Sequence, residues 1–171
     1  IRVQAELEEQ MRMIVQKYNP QSASIIVSDP KTGFLLGMCN YPTFDPNNYS
    51  KSPMANLKNH AISDMMEPGS TFKVVTVSAA LENNIVTPES VFDCSLDTAV
   101  YRGKELRLPK EAEHKFGKIN VREIVAKSSN KGAAQIGMKM GEEMMYKYAS
   151  DFGYGRTTGL GLTGESPGLL L

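Results

Sequence analysis

A serine and a lysine stand three positions apart where an apolar segment begins, in the stretch EPGSTFKVVTVSAAL. Residues three apart on a helix share a face, with Cβ atoms about 5 to 6 Å apart, so Ser70 Oγ and Lys73 Nζ can reach hydrogen-bonding distance. Serine becomes a good nucleophile when a base takes its proton. Burial and the positive end of a helix dipole both favour the neutral, basic form of lysine. The pattern indicates nucleophilic catalysis, in which the Ser70 amide could stabilise an oxyanion.

The same stretch has a simpler interpretation as an ordinary helix start. A capped helix has Ser or Thr at the N-cap and an acid three positions later, because the carboxylate suits the free backbone N–H groups and the dipole. Here a lysine stands in place of that acid. In the simpler interpretation Ser70 is only an N-cap and Lys73 a solvated side chain, since S-x-x-K occurs by chance in many proteins.

The elements that must position this pair follow from hydrophobic periodicity. The spacing predicts an amphipathic helix over residues 1–18, stopped at Asn19-Pro20, and then two short strands separated by Asp29-Pro30-Lys31-Thr32-Gly33 as a hairpin. Residues 41–53 are rich in Pro, Asn and Ser, which predicts an irregular surface segment. The helix near Ser70 is apolar nearly all round, which predicts that it is buried in the middle of a domain.

Further elements are predicted after that buried helix, which should end near Asn83-Asn84. A small hairpin is expected around YRGKEL, and Asn120 with Glu123 three positions on forms a capping box that starts a short helix. Two more helices are expected over AAQIGMKMG and EEMMYKYASDF, before a glycine-rich tail. Their methionines are interpreted as core-facing packing residues.

Composition narrows the class of protein. The chain has 171 residues, 41% of them hydrophobic, which suits about one domain with a buried core. Its formal net charge of +0, with basic residues spread along the chain, gives no basic surface for nucleic acid. Cys39 and Cys94 form no metal-ligand or redox spacing. No apolar run is long enough to span a membrane, and we expect no signal peptide within these residues.

Other stretches point to one family. Five stretches together resemble the penicillin-binding protein transpeptidases. They are EPGSTFK, KSSN at residues 127–130, the tail GYGRTTGLGLTGESPGLL, and the earlier DPKTGFLLGM and YPTFDPN. That family carries S-x-x-K, S-D-N and K-T-G motifs. The tail is most similar to the class B, monofunctional branch, which includes septal cell-division transpeptidases. The resemblance covers essentially the whole chain, so residues 1–171 are interpreted as one partial transpeptidase domain.

The resemblance implies a role for each matching residue. Ser70 would be the acylated nucleophile and Lys73 its general base. Ser128, the first residue of the S-x-N element, would relay a proton between Lys73 and the leaving or entering amine. Asn130 would hydrogen-bond the backbone of the donor peptide, while Ser129 fills the variable position.

The function implied is that of a serine D,D-transpeptidase. Such an enzyme opens the terminal D-Ala-D-Ala bond of a peptidoglycan stem peptide, holds the acyl group on serine and passes it to an amine on a neighbouring strand. β-Lactam antibiotics acylate the same serine. Two alternatives remain: a β-lactam-sensing or non-catalytic penicillin-binding domain, and a serine β-lactamase. The second alternative uses Glu165, which follows Asn130 by roughly the interval typical of the deacylating glutamate in class A β-lactamases.

The fold class implied is α+β, an antiparallel sheet of five strands flanked by helices, as in β-lactamases and transpeptidases. We expect this chain to hold only the N-terminal and helical portion, with the C-terminal strands of the sheet missing. Lys31-Thr32-Gly33 matches the third motif but precedes Ser70 and has a turn explanation, so we expect the true third motif to lie beyond the chain. The chain alone should then show little or no acylation, and an exposed edge and apolar face should cause self-association or a disordered tail at residues 155–171.

The setting and partners are likewise implied. The full-length protein is expected at the extracytoplasmic, periplasmic face of the bacterial cytoplasmic membrane, held by an N-terminal anchor that this chain lacks. Divisome or elongation proteins are its expected protein partners, and neither a cofactor nor a metal is expected. His60 and His114 could complete a Ser-His-Asp triad or bind metal, but neither has a companion at ligand spacing, so ordinary roles are favoured.

Overall fold

The chain folds as two compact units in a computed structural model that describes residues 1–112 and 114–170. Unit 1 comprises Ile1–Met65 with Gly159–Ser166, and unit 2 comprises Met66–Thr158 together with the residues from Pro167 onward. Both units mix helices with antiparallel strand pairs. The predicted α+β class is therefore confirmed.

Unit 1 contains a long helix, a β-hairpin and several short helical turns. Its elements are α1 (Arg2–Tyr18), β1 (Ala23–Ser28), β2 (Leu35–Tyr41) and α2 (His60–Ser63), with 3-10 turns at Pro46–Lys51 and Met54–Leu57. The predicted first helix is confirmed, and it ends where Asn19 adopts a left-handed conformation with φ 45°. The predicted irregular segment at 41–53 is confirmed as loop and 3-10 structure from Pro42 onward, while Tyr41 is the last residue of β2.

Helix α1 packs on the hairpin through a small apolar cluster. Leu7 and Met11 are buried together with Cys39 of β2, and Ile25 of β1 lies against them. Gly37 is required at the closest approach, because a Cβ atom there would lie 2.7 Å from the Leu7 Cδ1 atom. One missing side chain thus allows the helix to lie directly on the strand.

The hairpin turn contains the early Lys-Thr-Gly copy. The Asp29 carboxylate accepts a hydrogen bond from the Lys31 N–H at 2.9 Å, and Gly33 has a positive φ of 75°. The predicted hairpin is confirmed, and the turn accounts for these residues. Ile26 and Leu36 of the hairpin are about half exposed, in keeping with the expected apolar face, while self-association stays a prediction.

Unit 2 carries the remaining elements. They are a 3-10 turn at Gly69–Phe72, α3 (Lys73–Glu82), β3 (Val91–Asp93), β4 (Thr98–Tyr101), β5 (Lys104–Arg107), β6 (Lys118–Asn120), α4 (Val121–Ala126), α5 (Asn130–Met140) and α6 (Glu142–Asp151). Strand β3 pairs antiparallel with β6, and β4 pairs with β5 as the predicted small hairpin. Residues 155–170 contain neither helix nor strand.

Helix α3 lies at the centre of the unit 2 core. It contacts α4, α5 and α6, and its Val77, Ala79 and Ala80 join a buried cluster with Ile124 and Ile136. The prediction of burial is confirmed for these positions, but it was wrong for Val74, whose side chain is 60% exposed. The physical reason is that three neighbouring helices still leave one stripe of the α3 surface uncovered.

Helix α4 begins as the sequence predicted. The Asn120 side chain accepts a hydrogen bond from the Glu123 N–H at 2.9 Å, and the Glu123 carboxylate accepts one from the Asn120 N–H at 3.1 Å. The capping box is therefore confirmed. No helix in the described part of the chain combines the length and apolar character needed to cross a membrane.

Substituting Gly132 by alanine is expected to destabilise unit 2. A Cβ atom at Gly132 would lie 2.6 Å from Ile124 Cγ1, and Ile124 is fully buried. Overpacking costs about 1 to 3 kcal/mol, and the gain in helix propensity returns about 1 kcal/mol, so we expect a net loss of up to about 2 kcal/mol. Thermal unfolding of the full-length protein measures it.

The matched control for that substitution is Gly117→Ala. No described atom lies within 4 Å of a Cβ at Gly117, and its φ is not in the left-handed region, so its stability should change by no more than about 0.5 kcal/mol. Equal unfolding temperatures for the two variants would contradict the packing argument.

Candidate active site

Ser70 lies in a 3-10 turn that leads directly into α3. Gly69 before it has a positive φ of 57°, which supports the predicted tight turn at Pro68-Gly69. The N-cap of this turn is Pro68 and the N-cap of α3 is Phe72, so Ser70 is at neither cap position. The interpretation of Ser70 as an ordinary N-cap is therefore wrong, and its exposed hydroxyl is left for other contacts.

Lys73 is the first residue of α3, and its amine nitrogen lies among four oxygen atoms. Nζ is 3.2 Å from Ser70 Oγ, 2.9 Å from Ser128 Oγ, 2.5 Å from the Ser128 carbonyl oxygen and 2.7 Å from Asn130 Oδ1. The predicted contact between Ser70 and Lys73 is confirmed. The interpretation of Lys73 as a merely solvated side chain is wrong.

Two of these four oxygens, the Ser128 carbonyl oxygen and Asn130 Oδ1, can only accept hydrogen bonds, so each takes an N–H group of the amine. The hydroxyls of Ser70 and Ser128 can donate as well as accept. When the amine is neutral, its lone pair can meet the Ser70 hydroxyl. The arrangement can therefore pass a proton from Ser70 to Lys73.

The electrostatic surroundings of Lys73 act in two directions. Burial lowers the pKa of Lys73 below its usual value, because removing the ammonium group from water disfavours its charged form. The negative charge of Glu111 opposes this effect and raises the same pKa. Burial is the larger influence, so the net shift favours the neutral amine.

Ser128 lies in the turn between α4 and α5. Its Oγ donates a hydrogen bond to Ser70 Oγ at 3.0 Å and accepts one from Lys73 Nζ, so it contacts both members of the pair. Its φ of 55° is left-handed, a conformation that is uncommon for a residue other than glycine. The next residue, Ser129, is fully buried and caps α5 by accepting a hydrogen bond from the Gly132 N–H at 3.0 Å.

Both polar atoms of the Asn130 side-chain amide form hydrogen bonds. Oδ1 accepts from Lys73, and Nδ2 donates to the Lys110 carbonyl oxygen at 2.8 Å. An amide nitrogen carries two N–H groups, so Lys110 uses one of them. The other can donate to a carbonyl oxygen of a bound peptide, which is the contact expected from the sequence.

Glu111 is a member of the site that the sequence analysis missed. Its carboxylate accepts hydrogen bonds from the Ser129 hydroxyl at 2.6 Å and from the Asn130 N–H at 2.7 Å. Its position in a loop of mixed character carries no spacing signal. One signal existed, since α5 has no acidic residue in its own first turn and therefore lacks the usual partner for its dipole.

Several other candidates have ordinary structural surroundings. His60 Nδ1 lies 2.7 Å from the Asp64 carboxylate, and the His114 ring meets the edge of Phe116. Within residues 1–112 and 114–170, no three His, Cys, Asp or Glu side chains are grouped to hold a metal ion. Glu165, on which the β-lactamase alternative rests, belongs to unit 1, and Ser70 belongs to unit 2.

Comparison with known proteins supplies the family. Residues 23–171 match the family model of the penicillin binding protein transpeptidase domain. The chain therefore belongs to the penicillin-binding protein transpeptidase family, in the class B branch predicted from its tail. It is 36% identical over 170 residues to the stage V sporulation protein D of Bacillus subtilis and 33% identical over 168 residues to the peptidoglycan D,D-transpeptidase FtsI of Escherichia coli.

Solved structures agree with this assignment. The chain matches penicillin-binding protein 3 of Mycobacterium tuberculosis, solved in complex with ampicillin, with a TM-score of 0.83 and 30% identity over 99% of its length. The predicted transpeptidase-like fold is thus confirmed. The chain spans 26% and 28% of the length of the two curated relatives and 37% of that solved chain.

Proposed function

We propose that the protein containing this chain is a serine D,D-transpeptidase that cross-links peptidoglycan stem peptides. One observation carries this proposal: Lys73 Nζ lies within hydrogen-bonding distance of Ser70 Oγ, Ser128 Oγ and Asn130 Oδ1 at the start of a buried helix. The named activities of the curated relatives support it. Residues 1–171 are then part of its transpeptidase domain.

Acylation begins with proton transfer from Ser70 Oγ to neutral Lys73. The Ser70 oxygen attacks the carbonyl carbon of the penultimate D-Ala, which forms a tetrahedral oxyanion. The Ser70 N–H, near the positive end of α3, is placed to stabilise that negative charge. Collapse breaks the C–N bond, and the leaving amine takes a proton from Lys73 through the Ser128 hydroxyl. The product is an ester on Ser70 and free D-Ala.

Transfer reverses the proton path. An amine of a neighbouring stem peptide loses a proton through Ser128 to Lys73 and attacks the ester carbonyl. The tetrahedral intermediate then expels Ser70 Oγ, which takes its proton back from Lys73. Asn130 holds the donor peptide backbone through both steps. The Lys73 amine is thus neutral before each attack, which is the form that its burial favours.

The same chemistry defines the other ligands and the setting. β-Lactams contain an amide that Ser70 can open but a leaving group that stays attached, so they leave a stable ester. The named complexes of a relative with aztreonam and ampicillin support β-lactam binding. Because peptidoglycan lies outside the cytoplasmic membrane, we propose that the full-length protein acts on the extracytoplasmic side, held by an anchor. Divisome or elongation proteins are the proposed protein partners.

Location of a β-lactam adduct tests this function. The full-length protein is incubated with a fluorescent penicillin, digested and analysed by mass spectrometry. We expect one adduct per molecule, on the peptide that contains Ser70, because Ser70 Oγ contacts the proposed base and the Ser70 N–H lies near the positive end of α3. An adduct on another serine, or no adduct, would contradict the proposal.

A further inference from the structure

The carboxylate of Glu111 joins a loop to the turn that carries Ser128 and Asn130. It accepts hydrogen bonds from the Ser129 hydroxyl at 2.6 Å, the Asn130 N–H at 2.7 Å and the Lys131 N–H at 3.2 Å. Hydrogen bonds to an ionised acceptor are shorter and stronger than neutral ones. Three such bonds on successive residues fix the turn at the start of α5 in one conformation.

The turn needs an external support because its own conformation is unfavourable. Ser128 has a φ of 55°, and a residue with a Cβ atom holds this conformation only where its surroundings enforce it. That conformation directs both Ser128 Oγ and the Ser128 carbonyl oxygen to Lys73 Nζ. The first turn of α5 supplies no acid of its own to complement its N-terminus, and Glu111 takes that place.

The loop that carries Glu111 also contacts Asn130 directly. The carbonyl oxygen of Lys110 accepts a hydrogen bond from Asn130 Nδ2 at 2.8 Å, while Asn130 Oδ1 lies 2.7 Å from Lys73. Residues 110 and 111 therefore hold both the backbone and the side chain of Asn130. Movement of this loop would change the distance from Asn130 and Ser128 to Lys73.

We propose that Glu111 is a positioning residue for the acyl-transfer reaction, which holds the Ser128–Asn130 turn where Ser128 Oγ and Asn130 Oδ1 meet Lys73. This inference rests on the proposed function, because it assigns a role in the same site. Glu111 itself contacts neither Ser70 nor Lys73 by a hydrogen bond and acts through the turn. It lies outside the three signature motifs of the sequence.

The charge of Glu111 gives this role a second, measurable signature. Glu111 raises the pKa of Lys73, against the larger effect of burial. Two neighbouring cations are paired elsewhere: Lys127, at the C-cap of α4, with Glu123, and Lys131 of α5 with Asp97. Lys110 contributes its carbonyl oxygen to the site. Removing the Glu111 charge should therefore lower the pKa of Lys73 further.

The test is the rate constant of acylation by a fluorescent penicillin as a function of pH, measured on the full-length protein and normalised to the amount that labels at completion. The rate rises with pH as Lys73 becomes neutral. Glu111→Gln is expected to lower the plateau rate roughly 10- to 100-fold, because a misplacement of about 1 Å in an active site costs that much. The acid limb of the pH profile is the low-pH range in which the rate rises with pH. For Glu111→Gln this acid limb should move to lower pH, since the Lys73 pKa falls.

The Glu111→Asp variant separates the effect of the negative charge from the effect of side-chain length. Aspartate keeps the negative charge but is one methylene shorter, so the plateau rate should fall while the acid limb stays near that of the parent protein. The control is Glu142→Gln, which removes the same charge from an exposed side chain paired with Arg102. This control should change neither the plateau nor the limb. If the Gln variant does not fold, the Asp variant carries the test: a lower plateau rate with an unchanged unfolding temperature supports the role, and a plateau at the parent rate overturns it.

Each outcome bears on a defined statement. If the parent protein is labelled at Ser70 but Glu111→Gln and Glu111→Asp both acylate at the parent rate, the role of Glu111 is overturned. The proposed function then stays intact. A lower rate for Glu111→Gln with an unshifted acid limb also overturns it, because a purely structural defect has that form. A parent protein that is not labelled at Ser70 overturns the proposed function, and this inference with it.

Discussion

The Ser70→Ala variant of the full-length protein is expected to lose covalent labelling by a fluorescent penicillin completely. Without Oγ no ester can form, and the remaining hydroxyl in contact with Lys73, that of Ser128, lies in a turn held by other bonds. Loss of the nucleophile in a serine acyl-transfer site costs on the order of 10⁶ in rate. Gel fluorescence after prolonged incubation measures the loss.

Ser78→Ala is the matched control for the nucleophile. Ser78 lies on the same helix, α3, and its Oγ donates to the Val74 carbonyl oxygen at 2.6 Å, away from the site. Its variant should label at the parent rate and show that a serine-to-alanine change on α3 does not disturb the fold. Undiminished labelling of Ser70→Ala would rule out this residue as the nucleophile.

The Lys73→Arg variant is expected to acylate roughly 10²- to 10⁴-fold more slowly, which is the usual contribution of a general base. Arginine keeps the positive charge but cannot lose a proton near neutral pH, so it cannot take the proton of Ser70. For lysine, the rate should rise with pH through the Lys73 pKa, which burial has lowered. The Arg variant should lack that limb across the same pH range.

The control for the base is Lys127→Arg, one residue before Ser128. Lys127 Nζ is paired with the Glu123 carboxylate at 2.9 Å on the exposed side of α4, and arginine can make the same pair. This variant should keep both the parent rate and the pH limb. Near-normal acylation by Lys73→Arg would mean that the Ser70 proton leaves by a different route.

Local features of this chain could be predicted because they depend on residues close in sequence. The Asn120 and Glu123 capping box joins side chains to backbone groups three positions away, and its geometry follows from the helix itself. The same reasoning placed Ser70 near Lys73, since three positions make just under one helical turn. The class B resemblance then indicated Ser128 and Asn130 by motif.

Other features depended on packing and could not be predicted from spacing. Val74 is apolar but exposed, because burial on α3 is decided by which sides the neighbouring helices cover. Ser70 lies in a 3-10 turn outside the α-helical part of α3, so the predicted helix start was displaced by three residues. Over three residues, hydrophobic periodicity does not distinguish a 3-10 turn from a turn of α-helix.

The sequence by itself determined the nucleophile and base candidates, the family, the two hairpins and the helices other than α2, while β3 and β6 were not predicted. Only the tertiary structure brought Ser128 and Asn130 to within 2.9 Å of Lys73, and only it placed Glu111 on their turn. These contacts join residues far apart in the chain, and their geometry is set by how α3, α4, α5 and the loop before β6 pack. Local spacing carries no information on such packing, because the energy of each contact appears only when the core is closed.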